Sequence, residues 1–147
     1  MHPMDPDVDL HVASQRAERP AAVVGVIAAG GVLGALARYA ISTAWSHSPS
    51  SFPWAIWTVN VTGCFLIGAL MAVIARRRPE RRLLRPFVGV GILGGYTTFS
   101  TSVVDVELAA GRGAAGTALA YLAATLVGAL VAVWSGTALT ERLVRLR

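Results

Sequence analysis

Four long apolar runs leave this chain little choice of fold. They occupy roughly 21–45, 54–75, 86–110 and 114–139 of its 147 residues. A bilayer's hydrocarbon core of ~30 Å takes about 20 apolar residues at a rise of ~1.5 Å each. Each run reaches that length, and so short a chain cannot bury four such helices in a soluble core. The charge content agrees: 14% of the residues are charged, where a soluble domain carries about 25%. The expected fold is an all-α integral membrane protein with four transmembrane helices, spanning 21–139.

The flanks read differently. Residues 1–20 hold four acids, two arginines and three prolines, a polar tail without the early apolar region of a signal peptide. Pro20 marks its boundary with the first span. Residues 140–147 form a short basic tail. All 13 basic residues are arginines, and they cluster between the spans, so the net charge of +5 reflects membrane topology and no nucleic-acid partner is expected. Eleven of them (16, 19, 76–78, 81, 82, 85, 142, 145 and 147) fall on one side of a four-span layout, and only Arg112 lies on the other. By the positive-inside rule both termini and the arginine loop are cytoplasmic.

Several residues are not what an apolar span needs. Arg38, near the end of the first span, must either pair with carbonyls or snorkel to the interface. Gly30 and Gly34 make a small-xxx-small step suited to close helix approach. In the second span Thr58 and Thr62 can satisfy themselves on the helix backbone. Asn60 has two donors and two acceptor lone pairs to place. It serves either an interhelical bond or a permeating anion. The third span carries Gly91, Gly94 and Gly95, then Thr97, Thr98, Ser100, Thr101 and Ser102. Paired glycines and hydroxyls weaken a helix there, and in lipid an interruption survives only against protein, an ion or a wet cavity. A break in mid-membrane is expected. Thr117, Tyr121 and Thr125 make a stripe on the fourth span, as helix glue or as the lining of a polar track.

No carboxylate lies in the central apolar regions; Asp105 and Glu107 fall toward the outer end of the third span. Amide and hydroxyl donors, an arginine and the electropositive ring edge of Phe99 lean toward an anion. Enzyme chemistry is not expected. His2, His11 and His47 sit in tail or loop without metal spacing, and the lone Cys64 can form no disulfide framework within the chain.

The order Gly-Gly-x-x-Gly-Ala-x-x-Arg-Tyr (30–39), Val-Asn-x-x-Gly-x-Phe-x-x-Gly (59–68) and Gly-x-x-Gly-Gly-x-Thr-Thr-Phe-Ser-Thr (91–101) resembles the small bacterial fluoride channels, the Fluc or CrcB family. The likeness extends over about 26–139. It implies a fluoride-selective channel in the bacterial inner membrane that lowers fluoride toxicity by passive export. It further implies an antiparallel dimer with two fluoride pores at the subunit interface. A structural sodium ion is implied at the dimer centre, on backbone carbonyls matching Gly94 and Thr97. Asn60, Phe99, Thr101, Tyr121 and Thr125 match pore positions. Arg38, Gly95, Thr98 and Ser100 match structural or vestibule positions.

Two positions depart from the family pattern. Ser102 stands where most members have a second pore phenylalanine, and Ala129 where a further hydroxyl is expected. Either change is expected to weaken a pore. The arginine bias also sits poorly with a subunit that inserts both ways. It points instead to a one-way subunit paired with a separately encoded, oppositely oriented homologue, with the homodimer as the alternative. Two other classes compete. A small multidrug-resistance-type exporter needs a membrane-embedded carboxylate, and the first span has none. A non-transporting membrane scaffold leaves Asn60 and the hydroxyl cluster without a role.

Overall fold

The computed structural model describes residues 20–76 and 83–145, and all the secondary structure in them is helical. The tail before residue 20, the arginines at 77, 78, 81 and 82 and the last two residues lie outside them. We label the helices α1 (Pro20–Ala44), α2 (Trp54–Arg76), α3 (Arg85–Leu93), α4 (Gly94–Tyr96), α5 (Ser100–Gly111) and α6 (Ala115–Arg145). Four stretches are long and apolar enough to cross a bilayer: Ala21–Ala44, Trp54–Ala75, Arg85–Gly111 and Ala115–Val144. Helix α6 continues past Leu139, so the basic segment expected as a tail is helical as far as Arg145.

The burial pattern is that of a membrane protein. The fully covered apolar side chains are few and mostly small, including Ala55, Ala72, Ala109, Ala118 and Ala132 around Val59 and Tyr121. Large apolar residues such as Leu119, Leu130 and Trp134 face outward instead. Small side chains on the inside let helix backbones approach, which is how association is driven where lipid removes the hydrophobic incentive.

Two close seams organise the bundle. Helix α1 packs along α3 and α4, and α2 packs along α6. A methyl group at Gly34 would overlap the Ile92 carbonyl oxygen, and one at Gly95 would overlap that of Gly31. On the second seam, methyls at Gly68 and Gly136 would overlap the carbonyls of Val133 and Phe65. By sequence the glycines of the third span weaken its helix. In the structure they lie within helix, and the absent side chains of Gly91 and Gly95 admit α1.

The interruption comes just after them. Residues 97–99 are not helical, and Thr97 is extended (φ −79°, ψ 155°). Before it, α3 is wound as a π-helix over nine residues and leads into the single turn α4. After it the chain changes neighbours: α5 packs on α6 and no longer runs along α1. The break thus swings the hydroxyl-rich half of the third span from one seam to the other. Helix α5 then ends on Gly113, whose φ of 78° suits glycine. Ala114 N–H donates to Ala109 O and Gly113 N–H to Ala110 O, the paired bonds that close a helix C-terminus through a left-handed residue.

Candidate functional site

Asn60 holds the break together. Its Oδ1 accepts from the Thr98 amide at 2.8 Å, while its Nδ2 donates to the Thr98 carbonyl at 2.8 Å. One side chain therefore serves both backbone groups of the residue that left the helix, as a neighbouring strand would. The second Nδ2 hydrogen goes to Ser102 Oγ at 3.0 Å. Asn60 is buried, and both of its donors are spent on protein. The interhelical bond left open by the sequence is present in full.

The hydroxyls gather around this anchor. Tyr121, 1% exposed, donates to Ser102 Oγ at 3.1 Å. Thr98 Oγ1 lies 3.0 Å from Thr101 Oγ1 and 3.3 Å from Ser100 Oγ, and it accepts from the Thr101 amide. Asn60, Thr98, Ser100, Thr101 and Tyr121 thus join one network, with Ser102 at its crossing point. Helix α2 supplies the amide, α6 the phenol, and the break with the first turn of α5 the rest. Phe99 and Thr125 stand beside it, lining a groove of about 200 Å³ between α5 and α6 together with Ser102 and Tyr121. Phe99 is 71% exposed. Thr125 Oγ1 is buried beside the Tyr121 hydroxyl.

Arg38 is not part of this network. Its Nε donates to the Gly95 carbonyl at 3.3 Å, so of its two expected solutions it takes the carbonyl. That bond covers an exposed acceptor in the last turn before the break. The carbonyls of Gly94 and Thr97 stand differently. In an unbroken helix they would accept from the amides of Thr98 and Thr101, but those amides go to Asn60 Oδ1 and Thr98 Oγ1. The Tyr96 carbonyl likewise lacks the Ser100 amide, so three hard backbone oxygens at the break are without helical donors, the kind of ligand an alkali cation takes.

Some contributors escape sequence reasoning. In sequence Ser102 is a missing aromatic, and only its burial between Asn60 and Tyr121 reveals a hydrogen-bond hub. Trp57 donates its Nε1–H to Ala124 O at 3.1 Å and pins α2 to α6 beside the network. Phe52 meets the Tyr121 ring edge-on, with centroids 5.2 Å apart. The aromatic run Phe52, Trp54 and Trp57 is a visible signal for that cluster. On α5, Asp105 Oδ1 lies 3.8 Å from His47 Nε2, and its Oδ2 is buried with no partner among the described residues.

These features define a multi-pass membrane protein with an amide and hydroxyl network built on a broken span. A sequence profile described as CrcB-like protein, Camphor Resistance (CrcB), matches residues 25–137. The fluoride-specific ion channel FluC 1 of Streptomyces coelicolor is 49% identical over 127 residues, covering 86% of this chain and 82% of that one. The fluoride-specific ion channel FluC 2 of Nocardia farcinica is 51% identical over 116 residues, 79% of this chain and 83% of its own. That of Thermobifida fusca, also named FluC 2, is 46% identical over 121 residues, 82% and 90% of the two chains. The chain belongs to the CrcB family.

Proposed function

We propose that this protein is a subunit of a fluoride-selective channel that lets cytoplasmic fluoride leave passively, and is not an enzyme. The names of its relatives supply the ion. The observation that carries the reading is the amide and hydroxyl network at the break, where Asn60, Ser102 and Tyr121 join three helices beside a groove edged by Phe99. A dehydrating anion needs donors to replace its water, and hydroxyls with aromatic ring edges supply them without binding it as tightly as an ammonium would. Asn60 contributes by fixing the geometry: it holds Thr98 out of the helix and presents α5 to α6. Thr101 joins the same donor row through Thr98.

The proposed setting is the bacterial inner membrane, with the break at mid-depth and both termini cytoplasmic, as the arginine distribution favours. The domain reading keeps 21–139 as the transmembrane unit between a polar tail at 1–20 and a basic end at 140–147. The exposure of Phe99 supports an antiparallel second subunit that would cover it. The one-sided arginines favour a separately encoded homologue over a second copy. Where two subunits meet, the Gly94 and Thr97 carbonyls would hold a sodium ion, whose charge would offset the convergence of helix C-terminal dipoles there.

The test is fluoride efflux from liposomes containing the purified chain, read with a fluoride electrode and repeated for chloride. Fluoride loss with chloride retained supports the reading and makes a separate partner unnecessary. If the chain is silent alone and remains silent when co-reconstituted with an oppositely biased homologue, the proposal fails.

A further inference from the structure

His47 and Asp105 form a titratable pair that the network at the break leaves unused. His47 Nε2 lies 3.8 Å from Asp105 Oδ1. The two come from different elements: His47 from the loop between α1 and α2, Asp105 from α5, about one turn beyond Ser102. Asp105 is well covered, with 12% of its side chain exposed and its Oδ2 buried with no partner among the described residues. Water screens such a carboxylate poorly, and its field reaches the Tyr121 phenol across the seam between α5 and α6. On the fluoride reading, on which this inference rests, that is a fixed negative charge beside the route of an anion. The His47 side chain keeps 26% of its surface exposed, so protons from solution reach it. Histidine is the side chain that changes charge between about pH 5 and 8.

The loop that carries His47 does not depend on this pair for its place. Phe52 packs edge-on against Tyr121 and tilts against Trp54, with centroids 5.2 and 4.4 Å apart. Ser51 closes a turn by donating its amide to Ser48 O at 2.9 Å. Protonating His47 therefore changes the charge at this spot more than the shape. Few other titratable groups face the pair. Tyr121 comes from α6, and α2 has no titratable group before Cys64. On α1, Arg38 is engaged by Gly95 O. Glu107 and Arg112, farther along α5, form no ion pair with His47 or Asp105 among the described residues. We propose that His47 is a titratable counter-charge to Asp105, and that its protonation sets how fast an anion passes Tyr121. With the imidazole neutral, the carboxylate repels the anion. With the imidazolium in place the two charges offset, and passage speeds up as the pH falls through the histidine range. A unit charge acting over about 10 Å at an effective dielectric of about 20 changes local anion occupancy by about tenfold.

The test is the pH profile of fluoride efflux from liposomes holding the full-length protein, alone or with a partner homologue. Protein-free vesicles at each pH set the baseline for leak of the neutral acid. Wild type should run about three- to tenfold faster at about pH 6 than at about pH 8. His47→Gln, which carries no charge, should lose that ratio and stay near the slow, alkaline rate of wild type. His47→Arg, charged at every pH, should lose it in the opposite sense and stay near the fast, acid rate. Asp105→Asn removes the charge to be offset, so its rate should no longer respond to pH over this range. The opposite behaviour of the glutamine and arginine variants distinguishes a counter-charge from a structural tie, which either substitution would weaken. A His47→Gln protein with the pH ratio of wild type overturns the inference, as does a His47→Arg protein as slow as glutamine or a wild type with a flat profile. A wild type without fluoride efflux at any pH, alone or with a partner homologue, overturns the fluoride reading and this inference with it.

Discussion

Asn60→Ala is the sharpest perturbation of this molecule, because one side chain makes three bonds at the break. Truncation removes the acceptor of the Thr98 amide, one donor to the Thr98 carbonyl and one donor to Ser102 Oγ. The Thr98 carbonyl keeps a longer bond from Ser102 at 3.3 Å, and Ser102 Oγ keeps Tyr121. The amide keeps nothing unless the break closes and it returns to Gly94 O. An unsatisfied buried donor costs about 1–3 kcal/mol, and each lost bond about 1 kcal/mol, so the expected destabilisation is about 2–5 kcal/mol. Closing the break would soften that cost but carry α5 away from α6, and the groove would be lost with it. Asn60→Asp keeps an acceptor for the Thr98 amide but buries a carboxyl whose second oxygen faces the Thr98 carbonyl, so it should cost at least as much as alanine. Denaturant unfolding in detergent micelles, followed by the fluorescence of Trp54 and Trp57, measures both. If Asn60→Ala unfolds within about 0.5 kcal/mol of wild type, which is the range of an ordinary surface change, the bidentate anchor does not stabilise the break and the argument collapses.

Gly34→Ala should destabilise the α1 seam by about 1–3 kcal/mol, the cost of overpacking a tight contact, because its methyl would overlap Ile92 O and stand 2.7 Å from the Tyr96 amide nitrogen. Gly31→Ala meets nothing within 4 Å and should unfold with wild type; equal behaviour of the two would refute the seam. Topology is checked by thiol labelling on a Cys64→Ala background. Ser50→Cys, in the exposed loop between α1 and α2, should react only from outside and Thr140→Cys only from the cytoplasm. Labelling of each from both sides would show dual insertion. Sodium and fluoride should separate genetically in thermal unfolding. Thr125→Val is expected to lose stabilisation by fluoride and keep that by sodium, whereas Asn60→Ala loses both; retention of the sodium effect in Asn60→Ala would detach the carbonyls from the break.

The spans were legible because length and hydropathy need no knowledge of partners, and the described helices Pro20–Ala44 and Trp54–Arg76 begin and end close to the apolar runs. Asn60 and Arg38 were legible as problems, since a polar group in lipid must find a partner. Their solutions were not. Thr98 lies 38 residues from Asn60 and Gly95 lies 57 from Arg38, and pairings at that separation depend on how helices cross. The glycines mislead for the same reason. Read locally, Gly94 and Gly95 weaken a helix; read in space, Gly95 is the surface against which Gly31 lies, and the chain leaves the helix only at Thr97. Ser102 carries no sequence signal beyond being smaller than expected, because its value lies in two donors arriving from α2 and α6.

The break is better understood as an exchange of hydrogen bonds than as a local weakness. An uninterrupted third span would satisfy its own backbone, and Asn60 would then face a helix with nothing to offer its amide. By opening at Thr97, the chain gives Asn60 two backbone partners, and the Thr101 amide is recovered by the Thr98 side chain. What is left over is the carbonyls of Gly94, Tyr96 and Thr97, whose helical donors are gone. The same opening brings the Ser102 hydroxyl to Tyr121. The opening thus frees backbone oxygens before the break and gathers hydroxyls after it. Both follow from one asparagine holding the two backbone groups of Thr98 outside the helix.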